Sequence, residues 1–117
     1  MSNADRLASW IGAYRRAWNS NDPAEIADLF TTDAEYFTEP FHPPWRGREQ
    51  IVTEWVAHKD EPGDTEFDWQ PVSITDEVSV VQGTTKYADR TYSNLWVIRL
   101  DDAGRCRHFT EWWMEHS

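Results

Sequence analysis

A chain of 117 residues suffices for one domain, 1–117, with a hydrophobic core of its own and no need of disulfide or metal staples. Its 21 acidic side chains against 11 basic ones give a net charge of -10, which repels phosphate backbones and anionic lipid and argues against nucleic-acid and membrane-surface roles. Aromatics make up 15% of the residues, with eight tryptophans, which excludes disorder and is more ring area than so small a core can hide; some of it is expected around a cavity or at a subunit interface.

In chain order, Leu7, Trp10, Ile11, Tyr14, Ala17 and Trp18 recur at spacings of three and four, which predicts a one-faced helix from Asp5 to Ser20. Asp22 is a natural N-cap for a second helix over Ala24–Phe30, with Pro23 at its first position and Glu25 completing a capping box. A short strand is expected over Ala34–Thr38. The stretch Pro40–Gly47 holds three prolines and is expected to be irregular. Ile51, Val52, Trp55 and Val56 mark a third helix from Arg48 to about Lys59, and Glu61–Asp64 forms a turn cluster.

From Phe67 the period changes to two. Strands are predicted over Phe67–Thr75, Val78–Tyr87, Thr91–Leu100 and Arg105–Glu115, with Asp101–Gly104 as a hairpin turn. Helices massed before an antiparallel meander predict an α+β fold with the helices on one sheet face. The single cysteine, Cys106, has no partner for a disulfide and falls in an alternating strand, as a buried structural thiol would. No basic leader and no apolar run of about 18 residues is present, so a cytoplasmic location is expected. His42, His58, His108 and His116 show no ligand spacing, and neither metal nor other cofactor is expected. His42 is placed near a pocket rim, His108 on the outer sheet face, and His58 and His116 in solvent.

Nearly the whole chain resembles the SnoaL-like and ketosteroid-isomerase-like proteins of the nuclear transport factor 2-like superfamily. The resemblance rests on Tyr14–Asn19, Asp22–Phe30, Asp33–Tyr36, Glu39–Phe41, Trp45–Ile51, Tyr92–Trp96, Gly104 and Phe109–Trp113. It implies a cone, in which a curved sheet wraps three helices and encloses a pocket, and it implies homodimers paired through the outer sheet face. Because this fold hosts isomerases, cyclases, hydrolases, dehydratases and non-catalytic binders, it implies a pocket without choosing a reaction.

Carried over residue by residue, Tyr14 takes the place of the first-helix tyrosine that polarises a carbonyl, or else is a core aromatic. Glu39-Pro40 resembles the family's base-Pro pair with one extra residue before it, so that strict counting puts Thr38 there instead. The second oxyanion donor, a carboxylic acid in the isomerases, falls on Trp96, with Asn94 on the same strand face; neither replaces a protonated carboxyl in kind. Phe109, Glu111 and Trp113 share the inward face of the last strand. Glu111 is accordingly the candidate general acid or base, with an arginine pair or a dimer contact as its alternative role. Arg99 could pair with Glu111 as in the epoxide hydrolases of this fold, but it is predicted on the face opposite Trp96.

The catalytic candidates are thus Glu111, Tyr14 and Glu39. Trp18, Tyr36, Phe41, Trp55, Tyr87, Asn94, Trp96, Phe109 and Trp113 are expected to line a pocket for a small apolar molecule. The function expected is acid–base isomerisation, cyclisation or lysis of a small apolar carbonyl or cyclic compound; the alternative is a non-catalytic binding or interaction module.

Overall fold

The structure is a computed structural model that describes residues 2–58 and 65–116. Helix α1 (Asn3–Ser20) starts where the Ser2 side chain accepts the Asp5 N–H, and its spacing of apolar residues buries Leu7, Trp10, Ile11, Tyr14 and Ala17. It stops at Asn21, which turns left-handed (φ 52°) and donates its N–H to the Ala17 carbonyl at 2.7 Å. Asn is one of the few non-glycine residues that visit this region cheaply.

Helix α2 (Pro23–Asp28) is capped by Asp22, whose carboxylate accepts the Ala24 N–H at 2.9 Å. The reciprocal half of the expected capping box is replaced: the Asp22 N–H donates to Ser20 Oγ at 3.1 Å. The helix also ends earlier than the expected Phe30. Phe30 instead opens strand β1 (Phe30–Phe37), which begins before the predicted Ala34 and ends before Thr38. The β-branched pair Thr31-Thr32 favours extension there, and the Cys106 N–H fixes the crossover by donating to the Leu29 carbonyl at 2.7 Å.

The proline-rich stretch is not wholly irregular. Trp45 and Arg46 form a two-residue strand, β2 (Trp45–Arg46), antiparallel to β1 with Tyr36 opposite Trp45. Gly47 then turns at φ 84°, where a side chain would be strained, donates to the Ala34 carbonyl at 2.8 Å, and leads into helix α3 (Arg48–Ala57) with Ile51 and Trp55 buried. The turn expected at Glu61–Asp64 lies outside the described residues.

Strands β3 (Glu66–Ile74), β4 (Ser79–Lys86), β5 (Thr91–Leu100) and β6 (Cys106–Glu115) form the antiparallel meander read from the alternation. The β5–β6 turn is held by Asp101, whose carboxylate accepts the N–H groups of Ala103 and Arg105, with Gly104 at φ 84°. β6 then pairs parallel with β1, giving an open six-stranded mixed sheet of order β2-β1-β6-β5-β4-β3. Pro71 is accommodated because β3 is an edge strand with a register shift at that point. The three helices pack against one face of the sheet around a core that includes Leu7, Ile11, Ile26, Ile51, Trp96, Ile98 and Phe109. This is an α+β cone whose inner face belongs to the helices and to a cavity. Among the described residues, no helix is long and apolar enough to cross a membrane.

Candidate active site in the cone

Strand alternation decides which side chains reach the cavity. On β6, Phe109, Glu111 and Trp113 point inward; on β5, Asn94 and Trp96 do so; on β4, Gly83 and Thr85. The antiparallel register sets Trp96 opposite Glu111 and Asn94 opposite Trp113. Two N–H donors therefore converge on one carboxyl oxygen. Trp96 Nε1 and Asn94 Nδ2 each donate to Glu111 Oε2 at 2.8 Å. The Asn94 amide is fixed in turn, because buried Thr85 donates its hydroxyl to Asn94 Oδ1 at 2.7 Å. Indole N–H is only a donor and the Asn94 oxygen is taken, so the arrangement has one polarity: Glu111 accepts.

The cavity has a volume of about 640 Å³. From the helices it receives Tyr14 and Trp18 of α1 and Glu54 and Trp55 of α3, with Asn21 and His58 just beyond their ends. Tyr14 hydroxyl lies 2.7 Å from Tyr36 hydroxyl, so two phenols from a helix and a strand face each other in the cavity wall. Trp55 packs on the Tyr14 ring at 5.0 Å between centroids and sends its N–H to Asn21 Oδ1 at 3.1 Å.

Of the residues expected around the pocket, Glu111, Tyr14, Glu39, Trp18, Tyr36, Trp55, Tyr87, Asn94, Trp96 and Trp113 do line the cavity. Two do not. Phe41 is 97% exposed in the loop after β1, where the prolines carry its side chain away from the cone. Phe109 is fully buried beneath the cavity, stacked on Tyr14 at 5.7 Å and on Tyr36 at 4.6 Å, so it supports the phenols from below instead of meeting a ligand. Thr38 and Glu39 both line the cavity; they follow the last residue of β1, where strict alternation of faces no longer applies. Asn94 reaches the cavity with its amide bonded to Glu111 and to Thr85. His42 is not at the cavity wall but on the exposed side of Glu39, its Nε2 3.1 Å from the carboxylate.

Asn21, Trp45, Glu54, Thr85 and Tyr92, none of them expected at the pocket, also reach the cavity, as does His58, expected in solvent. Thr85 was legible in principle, since it shares the inward face of β4 with Val81 and Gly83. Trp45 was not, because the short β2 pairing that stacks it on Tyr36 at 5.0 Å depends on a return of the chain across an irregular loop.

Electrostatically, the wall is acidic and aromatic. Arg15 lies outside it, its guanidinium 4.5 Å over the Trp18 ring and bonded to Thr65 Oγ1 and carbonyl; burial lowers its pKa, opposed by Tyr14 and Tyr87. Desolvation, then the hydrogen bond to Glu115, raises the Tyr92 phenol above its usual range. Cys106 is buried away from the cavity, and burial pushes its thiol up to about 12, as befits a structural side chain. Among the described residues, no group of three His, Cys, Asp or Glu side chains is disposed to hold a metal ion.

Similar folds carry diverse activities. An NTF-2-like protein from Burkholderia xenovorans LB400 superposes with a TM-score of 0.77 at 14% identity, over 98% of this chain and 88% of that one. A steroid delta-isomerase from Pseudomonas aeruginosa matches with a TM-score of 0.66 at 20% identity (96% and 79% covered). An LEH-like epoxide hydrolase from M. tuberculosis matches with a TM-score of 0.62 at 14% identity (94% and 84% covered). At these identities the likeness is one of fold. No curated protein matches the sequence. The sequence model of the SnoaL-like domain, however, matches residues 11–111, which takes in every helix-borne and strand-borne group of the cavity except Trp113, and the chain therefore belongs to the SnoaL-like family of the nuclear transport factor 2-like fold.

Proposed function

We propose that this SnoaL-like domain is an enzyme that moves a proton on a small, mostly apolar carbonyl or cyclic compound, as an isomerase, cyclase or lyase. The observation that carries this reading is Glu111: a carboxyl in an aromatic cavity, held in one orientation by two N–H donors on Oε2. A positioned carboxyl of this kind typically contributes about 10²–10⁴ to a rate. The Tyr14–Tyr36 pair, in which one hydroxyl donates to the other, supplies a phenol O–H for a carbonyl or ring oxygen on which negative charge develops. Glu39, at the rim and 43% exposed, is a second carboxylate within reach of a ligand entering the mouth.

The position that carries an oxyanion-binding acid in the steroid isomerases of the family is here Trp96, and both it and Asn94 serve Glu111. That supports a reaction arranged around Glu111 over steroid isomerisation by the family's usual groups. The test is incubation with small cyclic ketones, polyketide-like rings and steroids, followed by mass spectrometry and by kinetics of any conversion. Glu111→Gln, which preserves the hydrogen-bond acceptor, is expected to lower kcat by about 10²-fold or more, and Tyr14→Phe to lower it less. Full turnover by Glu111→Gln would overturn the assignment. Saturable binding with every ligand recovered unchanged would identify a binding module instead.

A further inference from the structure

Of the two groups that donate to Glu111 Oε2, only one can change its sense. The Trp96 indole N–H is a donor and nothing else, so its 2.8 Å bond has a fixed direction. The Asn94 amide carries a donor at one end and an acceptor at the other, and both ends are engaged. Its Nδ2 donates to Glu111 Oε2 at 2.8 Å, and its Oδ1 accepts from the Thr85 hydroxyl at 2.7 Å. The strand register places Asn94 between these two partners, since Thr85 is its diagonal neighbour on β4 and Glu111 its diagonal neighbour on β6. Thr85 is 1% exposed, so its hydroxyl is closed off from water and depends on the amide.

With Glu111 ionised, the observed sense satisfies both ends of the amide. Any proton transfer to Glu111 produces the opposite state, in which the carboxyl has a hydrogen to donate. A half-turn of the Asn94 amide about its last side-chain bond exchanges its oxygen and nitrogen, which are nearly alike in size. Oδ1 then accepts from the Glu111 carboxyl, and Nδ2 donates to Thr85 Oγ1, because a hydroxyl accepts as readily as it donates. Neither state strands a polar atom of Asn94 or Thr85 in the wall.

We infer that Thr85 and Asn94 form a reversible hydrogen-bond relay, in which Asn94 turns over as Glu111 gains or loses its proton and so supports it both as base and as acid. Thr85 and Asn94 are then positioning residues. The inference rests on the reading of Glu111 as the proton-transfer group and adds how the wall accommodates its two states.

The test is nuclear magnetic resonance of the full chain without ligand. The Glu111 carboxyl, isotopically labelled, is titrated by its chemical shift and assigned by its loss in Glu111→Gln. Two N–H hydrogens on one oxygen, each about 2 Å from it, lie within about 4 Å of one another. Above the Glu111 midpoint, the Asn94 amide hydrogens should therefore show a nuclear Overhauser effect to the Trp96 indole hydrogen. Below it, that effect should fade and one to Thr85 should appear. The four tyrosines, Glu39, Glu54 and His58 also border the cavity, so the turn has to be tied to Glu111 itself: in Glu111→Gln the pattern should not change with pH. A pattern constant through the Glu111 titration, or a turn that persists in Glu111→Gln, would overturn the relay.

With a converted compound in hand, Thr85→Val should lower kcat about tenfold with KM little changed. Thr85→Ser, which keeps the hydroxyl, should restore it. Full kcat in Thr85→Val would overturn the catalytic use of the relay. Turnover beside an unmoving Asn94 would remove the relay and leave the proposed function standing; a turning Asn94 with no compound converted would do the reverse.

Discussion

His108 lies three residues before Glu111 on β6 and on the other side of the sheet, opposite Glu35 of β1 and Arg99 of β5, with its ring on Phe37. Its Nδ1 is buried and has no hydrogen-bond partner among the described residues. Burial holds its pKa below the usual 6.5; Glu35 opposes that, and Arg99 and Arg107 reinforce it. The folded state therefore resists the proton that the unfolded chain accepts. As pH falls through about 6.5, the unfolded state gains protons first and stability declines. Urea unfolding between pH 7.5 and pH 5.5, chosen as roughly one unit either side of that value, should show a smaller loss for His108→Gln than for the parent chain. An equal loss would mean that other groups govern the acid limb. At this same scale Glu111 was legible from sequence, because alternation along β6 puts it on one face with Phe109 and Trp113 and the family resemblance turns that face inward. Phe41 was not, since no period governs a loop, and Phe109 shows that an inward face includes residues buried below a cavity as well as residues lining it.

Among the strands, β4 and β3 approach closely where Gly83 faces Trp69 and leaves room for Phe67. A Cβ at Gly83 would meet the Phe67 ring at 2.7 Å. Phe67 stacks on Trp96 at 4.8 Å, and Trp96 in turn holds Glu111. Gly83→Ala is expected to destabilise the fold by roughly 1–3 kcal/mol through overpacking and to perturb near-UV circular dichroism of the tryptophans. Little change in either would mean that Phe67 moves aside without disturbing Trp96. Helices and meander strands were legible because each has a strong period of its own. The α2–β1 junction was misplaced because Phe30 satisfies both the helical spacing after Ile26 and the strand spacing before Ala34. Packing of Phe30 under Trp10 and Tyr36 settles it as strand.

Over the whole molecule, the parallel pairing of β1 with β6 joins segments far apart in the chain, and because no local pattern encodes such a contact it was not read from the sequence. The outer face of the same sheet leaves Leu95, Trp112 and Met114 substantially exposed, with Leu95 opposite Trp112. We propose that two copies pair through this face. Sedimentation should then give twice the 13.8 kDa chain mass, and Trp112→Glu should return the monomer. A parent chain that stays monomeric at all concentrations would refute the pairing.

That every phenol in the chain borders the cavity gives the protein an internal optical reporter. Tyrosine difference absorbance, and nitration followed by peptide mapping, carry no background from phenols elsewhere, because there are none. Occupancy can thus be followed without a label, and each ring's protection would trace the outline of whatever lies inside.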